Sequence, residues 1–219
     1  MTEKIRVLIA DDHAIVRQGL EVLINTQPDM ELIAQARDGE EVVQMAQENH
    51  PDVIVMDLQM PVKDGLTAIE EINQLDLDAQ ILVLTSFPED AMVISAVKAG
   101  ATGILLKDSL PEKLLNAIRT VSKGESILHP IVSRKLMEKV RQPSETASLE
   151  DRLTQRELDV LRLLTKGLTN GQIALNLNVS IRTVTTHIRN ILDKLHLQNR
   201  TQAALYAVEH GILADDKDN

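Results

Sequence analysis

The chain has 219 residues, of which 43% are hydrophobic and 26% charged, with a formal net charge of −10. That is enough apolar content for one large packed domain or two small ones. With no cysteine there is no disulfide framework and no thiolate metal site, and no run approaches the roughly 20 apolar residues of a membrane span. The opening Met1-Thr2-Glu3-Lys4 lacks the apolar stretch of a signal peptide, so a soluble, cytoplasmic protein is expected.

The first half alternates between two periods. Ile5 to Ala10 reads as a strand ending in Asp11-Asp12, after which Ile15, Leu20, Leu23 and Ile24 follow helical spacing. Glu31 to Ala36 is a second strand, followed by Asp38-Gly39 and a helix carrying Val42, Met45 and Ala46. Val53 to Met56 is an unbroken apolar run, as in a strand buried on both faces, and it stops at Asp57. A helix beyond Gly65 carries Ile69 and Ile72; a strand from Gln80 to Leu84 ends at Thr85; a helix with Val93, Ile94 and Val97 stops at Gly100. Gly103 to Leu106 is the fifth strand, closed by Lys107-Asp108, and Ser109 to Glu112 has the spacing of a capping box with Pro111 in the first turn. Five strands alternating with five helices predict an α/β, doubly wound, five-stranded parallel sheet with right-handed crossovers.

Past Gly124 this rhythm fails. Residues 125–148 hold a short helical candidate, Ile131 to Val140, and then a polar linker, which places a domain boundary there. From Leu153 the pattern is helical throughout. Thr154 to Glu157 is a capping box, Thr169 to Gln172 opens a short helix, Ser180 can cap a longer helix from Ile181 to Leu195, and Thr201 to His210 is a fourth helix. A short helix, a tight turn and a longer helix make a small all-α helix-turn-helix domain over 149–214, followed by an acidic tail at 215–219.

Parallel strands present their carboxyl ends along one edge, so Asp11, Asp12, Asp57, Thr85 and Lys107 should converge. Carboxylates without sulfur or imidazole suit a hard cation, Mg²⁺ rather than zinc. Asp57 can then act as a nucleophile in phosphoryl transfer, with a cation, an ammonium and a hydroxyl neutralising the equatorial oxygens. In the longer helix, Val184, Ile188, Ile191 and Leu195 should pack inward, while Arg182, Thr185, Thr186 and Arg189 share another face with donors and cations, as a major-groove helix requires. Lys and Arg number 10 against 21 Asp and Glu in residues 1–124, but 8 against 6 in 149–214, so only the second region suits a polyanion. One Phe and one Tyr leave no set of rings on which bases could stack, which favours duplex over single strands.

Asp11-Asp12, the run from Asp57 through Gln59 and Pro61 to Asp64-Gly65, Thr85 and Lys107-Asp108 resemble a bacterial response-regulator receiver domain, assigned here to 1–124, and imply its flavodoxin-like fold. The resemblance implies that Asp57 is the phosphoacceptor for the phosphohistidine of a sensor histidine kinase. It also implies that Asp12, Asp57 and the Gln59 backbone carbonyl hold Mg²⁺ with Asp11 acting through water, and that Thr85 and Lys107 bind the acyl phosphate. Ile104 departs from the pattern, standing where many receivers carry Tyr or Phe. Leu153-Thr154-x-Arg156-Glu157, Thr169-Asn170-x-x-Ile173-Ala174, Thr183-Val184-x-x-His187, Lys194-Leu195 and Arg200-Thr201-Gln202-Ala203 resemble the LuxR-type helix-turn-helix. Together the two halves resemble a NarL/FixJ-type two-component response regulator. That implies promoter DNA as partner, a homodimer when phosphorylated, and DNA contacts from Arg182, Thr183, Thr185, Thr186, Arg189, Lys194 and Arg200, with Thr185, Thr186 and Arg189 nearest base edges and Lys194 and Arg200 near phosphates. Thr185 replaces a frequent Lys. A phosphatase using Asp57 would need an acid/base carboxylate two residues on, where this chain has Gln59, so no enzyme is expected. A protein-binding helix-turn-helix is the remaining alternative.

Overall fold

The computed structural model describes residues 4–75, 77–86, 90–128 and 153–212. The chain divides between residues 129 and 130 into two compact units. In the first, β1 (Ile5–Ala10), β2 (Met30–Ala36), β3 (Val53–Met56), β4 (Gln80–Thr85) and β5 (Gly103–Leu106) alternate with α1 (Ala14–Asn25), α2 (Gly39–Asn49), α3 (Gly65–Gln74), α4 (Asp90–Ala99) and α5 (Pro111–Val121). The strands are all parallel, in the order β2-β1-β3-β4-β5. A two-residue β6 (Ile127–Leu128), in what the sequence reading gave to the linker, extends the edge by pairing with Gly103 and Ile104.

Strand alternation splits the core. Val7, Ile9, Val53, Val55, Leu82, Leu84 and Leu105 pack with Leu20 and Ile24 of α1 and Leu114, Leu115, Ile118 and Val121 of α5. The intervening positions, among them Leu8, Ile54, Met56, Ile81, Val83 and Ile104, are equally buried on the opposite face. Burial on both faces is why β3 reads as a continuous apolar run.

Side chains cap α2 and α3, whereas the N-caps of α1 (His13) and α5 make no side-chain bond. Asp38 caps α2 through the amides of Glu40 and Glu41, and Asp64 caps α3 through that of Thr67. The expected Ser109–Glu112 capping box does not form. The N-cap of α5 is Leu110, with no side-chain bond. Pro111 therefore occupies the first helical position, which leaves Ser109 one residue too far out to reach the third amide. Its own amide closes the turn onto the Leu106 carbonyl at 3.0 Å, and its buried Oγ has no hydrogen-bond partner.

The second unit comprises, among the described residues, α6 (Gln155–Thr165), α7 (Asn170–Leu177), α8 (Ile181–Leu195) and α9 (Arg200–Glu209). The expected capping box of Thr154 with Glu157 is present, Thr169 with Gln172 forms a second one, and Ser180 caps α8. Val184, Ile188, Ile191 and Leu195 enter one core with Leu158, Leu161 and Leu164 of α6, Ile173 of α7 and Ala203 of α9. The tight turn between α7 and α8 is made by Asn178, which adopts a left-handed conformation at φ 52. The helical candidate Ile131 to Val140, the polar linker and the tail at 215–219 lie outside the described residues.

Candidate functional site

Strand order reverses between β1 and β3, and the crevice at such a switch point is where open parallel sheets bind ligands. Asp11 follows β1 and Asp57 follows β3, and the ladder runs up to the site: the Asp57 amide donates to the Ala10 carbonyl at 2.8 Å. Between the ends of β4 and β5, the Lys107 amide donates to the Thr85 carbonyl at 2.8 Å. Lys107 then reaches back, its Nζ donating to Asp57 Oδ2 at 2.6 Å and to Asp11 Oδ2 at 2.7 Å. Asp11 and Asp57 are 2% and 6% exposed, so two neighbouring anions are held out of water around one cation. Burial alone would lower the Lys107 ammonium, but its bonds and charge attraction to Asp11 and Asp57 outweigh that and hold it above the usual lysine range. Thr85 is buried at the end of β4.

Carboxylate oxygens of Asp11, Asp12 and Asp57 and a ring nitrogen of His13 all lie within 4.8 Å of one another. Lys107 engages Oδ2 of Asp11 and Asp57. Of the other oxygens, Asp57 Oδ1 has the Gln59 amide at 3.4 Å, and Asp11 Oδ1 has the His13 amide at 2.8 Å and the His13 ring Nδ1 at 3.2 Å. An oxygen-rich cluster on two adjacent strand ends fits a hard divalent cation. The sequence reading missed His13. It follows Asp11-Asp12 directly, its Nδ1 lies 2.6 Å from Asp12, and its side chain is 65% exposed.

The loop from Asp57 to α3 is set by close backbone packing. The Gly65 amide donates to the Leu58 carbonyl at 2.9 Å, and a Cβ on Gly65 would lie 2.3 Å from the Asp57 carbonyl oxygen. Gly39 donates to the Lys63 carbonyl at 3.0 Å and is as tightly covered. Val62 sits between them at φ 65, a conformation that β-branched residues avoid.

On α8, Arg182, Thr185, Thr186 and Arg189 are exposed together opposite the core face. Thr183 is half-buried and belongs to the cap, its amide and hydroxyl both bonded to Ser180. Two expected phosphate contacts are placed otherwise. Arg200 is 5% exposed, donating from Nη1 to Asn170 Oδ1 and from Nη2 to the Leu168 carbonyl, both at 2.7 Å, so it ties α9 to the start of α7. Lys194 donates to both oxygens of Glu157 at 2.6 and 2.9 Å, joining α8 to α6. Burial would push the Glu157 carboxyl up, but the bonds from Lys194 and Thr154 prevail and hold it below the usual glutamate range.

Two known families match the chain: the response regulator receiver domain over residues 7–119, and the bacterial regulatory proteins of the luxR family over residues 151–207. The chain is 46% identical to the transcriptional regulatory protein LiaR of Bacillus subtilis (strain 168), over 93% of this chain and 96% of that protein. It is 39% identical to the response regulator protein VraR of Staphylococcus aureus (strain NCTC 8325 / PS 47), over 95% and 99% respectively. Among solved structures it is similar to two RcsB dimers bound to two parallel DNAs, at 27% identity and a TM-score of 0.57, covering 94% of this chain and 99% of that chain.

Proposed function

This chain is a two-component response regulator of the family that joins a receiver domain to a LuxR-type DNA-binding domain, and we propose that Asp57 is its phosphoacceptor and that phosphorylation drives the second unit onto promoter duplex. The phosphoryl donor is the phosphohistidine of a sensor histidine kinase. An Asp57 carboxylate oxygen attacks phosphorus in line, the phosphorus–nitrogen bond breaks, and its electron pair returns to the imidazole.

The observation that carries this reading is the Lys107 ammonium 2.6 Å from Asp57 Oδ2. It stands ready to accept a phosphoryl oxygen as a new partner where charge builds. Asp11, Asp12, Asp57 and the Gln59 carbonyl would hold Mg²⁺, which supplies further neutralisation of the phosphoryl oxygens when bound. Thr85, at the end of β4, is the hydroxyl that bonds the acyl phosphate. Phosphorylation adds about −1.5 to −2 charge and three acceptor oxygens at the strand ends. Drawing Thr85 toward them shifts the surface of α4 and β5. Ile104 is fully buried in β5, so this movement proceeds without an aromatic ring turning inward.

In the second unit α8 is the recognition helix, with Arg182, Thr185, Thr186 and Arg189 toward the groove. Residues 1–124 form the receiver, 125–148 the linker and 149–214 the DNA-binding domain. The phosphorylated protein acts as a homodimer on paired half-sites, a reading that the RcsB dimers on DNA support. The protein works in the cytoplasm and turns over no external substrate; among the described residues no helix is long and apolar enough to cross a membrane. The test is a gel-shift titration of the full chain against genomic fragments, with and without acetyl phosphate and Mg²⁺, at several salt concentrations. Tighter binding with donor and a linear fall of log affinity with log salt are expected. Equal binding with and without donor would remove the switch.

A further inference from the structure

The exposed threonines of α8 do not offer their hydroxyl protons to the solvent side. Thr185 Oγ1 donates to the Ile181 carbonyl and Thr186 Oγ1 to the Arg182 carbonyl, both at 3.0 Å. A hydroxyl has one proton, and here each is held by the helix's own backbone four residues back. Thr185 Oγ1 also has the Asn170 amide nitrogen 3.5 Å away. Neither hydroxyl has a proton left to donate outward, and each of these exposed side chains also carries a methyl group. One turn before Thr185 lies Ile181, which opens the helix and is 58% exposed although it is one of the most apolar residue types. Arg182 precedes Thr186 by one turn, and Arg189 follows Thr185 by one turn. The face therefore carries a strip of aliphatic groups, Ile181 and the two threonine methyls, beside the guanidinium groups of Arg182 and Arg189.

Resting on the reading of α8 as the recognition helix, we propose that Ile181, Thr185 and Thr186 form a methyl-reading surface selective for thymine in the major groove, with Arg182 and Arg189 as flanking anchors. The two cations suit a polyanion. Among base edges in the major groove of unmodified DNA, the C5-methyl of thymine is the apolar group that such a strip can cover. This changes the role expected of the threonines, from hydrogen-bond donors to methyl contacts.

The experiment uses the full chain treated with acetyl phosphate and Mg²⁺ and a duplex recovered by selection from a random pool. Each thymine of that duplex is replaced in turn by deoxyuridine, which removes the methyl and leaves every hydrogen-bonding group. The wild-type protein should lose about fourfold in affinity for each contacted methyl removed. Ile181→Ala should become indifferent to deoxyuridine at one position per half-site. Thr185→Val and Thr186→Val, which keep methyls and delete hydroxyls, should retain the thymine preference, whereas Thr185→Ser should lose it at its own position. Urea midpoints confirm that each variant is folded. Equal wild-type affinity for thymine and deoxyuridine duplexes overturns the proposal, as does loss of binding in the valine variants with thymine preference intact in the serine variant. Failure to bind any duplex would instead defeat the DNA-binding reading itself, and this proposal with it.

Discussion

Removing either partner of the Glu157–Lys194 pair should destabilise the second unit, and by unequal amounts. The Glu157 carboxylate is 3% exposed and accepts from the Thr154 amide at 2.7 Å, the Thr154 hydroxyl at 2.9 Å and Lys194 at 2.6 and 2.9 Å. The Lys194 side chain is 39% exposed, so water can solvate its ammonium when the partner is lost. Lys194→Met strands a buried carboxylate on two neutral donors, at a cost of about 3 kcal/mol. Glu157→Gln keeps an acceptor for Thr154 and leaves a cation that water reaches, so after screening it costs about 1 kcal/mol. The pH dependence has a definite sign. Because the folded Glu157 carboxyl lies below its unfolded value, its contribution is full above the ordinary glutamate range and is lost as pH falls through the lowered folded value. Glu157→Gln should therefore remove this part of the acid sensitivity. The chain has one tyrosine and no tryptophan, and Tyr206 lies in α9 stacked on His210 at 4.0 Å, so tyrosine emission during urea titration reports the second unit. Equal losses in the two variants, a larger loss in Glu157→Gln, or acid sensitivity unchanged by that substitution would refute the reasoning.

Arg200→Ala should cost the second unit about 3 kcal/mol by stranding its buried partners, while leaving the salt slope of duplex binding as in the wild type. A slope reduced by about 1 with stability intact would return Arg200 to a phosphate contact. Gly65→Ala places a Cβ 2.3 Å from the Asp57 carbonyl oxygen and 2.8 Å from Leu58 Cα, both backbone, so thermal unfolding should show a loss of about 2 kcal/mol and labelling by acetyl phosphate should slow. Val62→Gly should be close to neutral: it relieves about 1 kcal/mol of left-handed strain at an 81% exposed position and adds a similar unfolded-chain entropy. A drop well beyond 1 kcal/mol in urea would show that Val62 is held there by packing.

Much of this was legible because it is periodic or terminal. Apolar runs that halt at Asp11, Asp57, Thr85 and Lys107 give both the strands and the edge where their ends meet, and a parallel sheet leaves few ways to arrange them. The apolar spacing of α8 likewise fixed its buried face. Other features depend on competition that a sequence does not display. Ser109 and Glu112 have capping-box spacing, but Pro111 took the first helical position and moved the start past the serine. Lys194 and Arg200 carry charges suited to phosphate, yet Glu157, Asn170 and a backbone carbonyl reach them first. Thr185 and Thr186 sit on the expected face, but a threonine's choice between the backbone four residues back and an outside partner is a matter of rotamer. The edge strand β6 is two residues long, too short for any alternation to register.

The central claim is that one carboxylate, Asp57, receives the phosphoryl group and that DNA binding depends on it. Asp57→Asn keeps the side chain's shape and removes the nucleophilic charge. The decisive measurement is intact-mass analysis and duplex binding of this variant beside the wild type, after both have met acetyl phosphate and Mg²⁺. The wild type should gain one phosphoryl group and bind more tightly, and the variant should do neither; a phosphorylated variant, or one whose DNA binding still rises with donor, would contradict the claim.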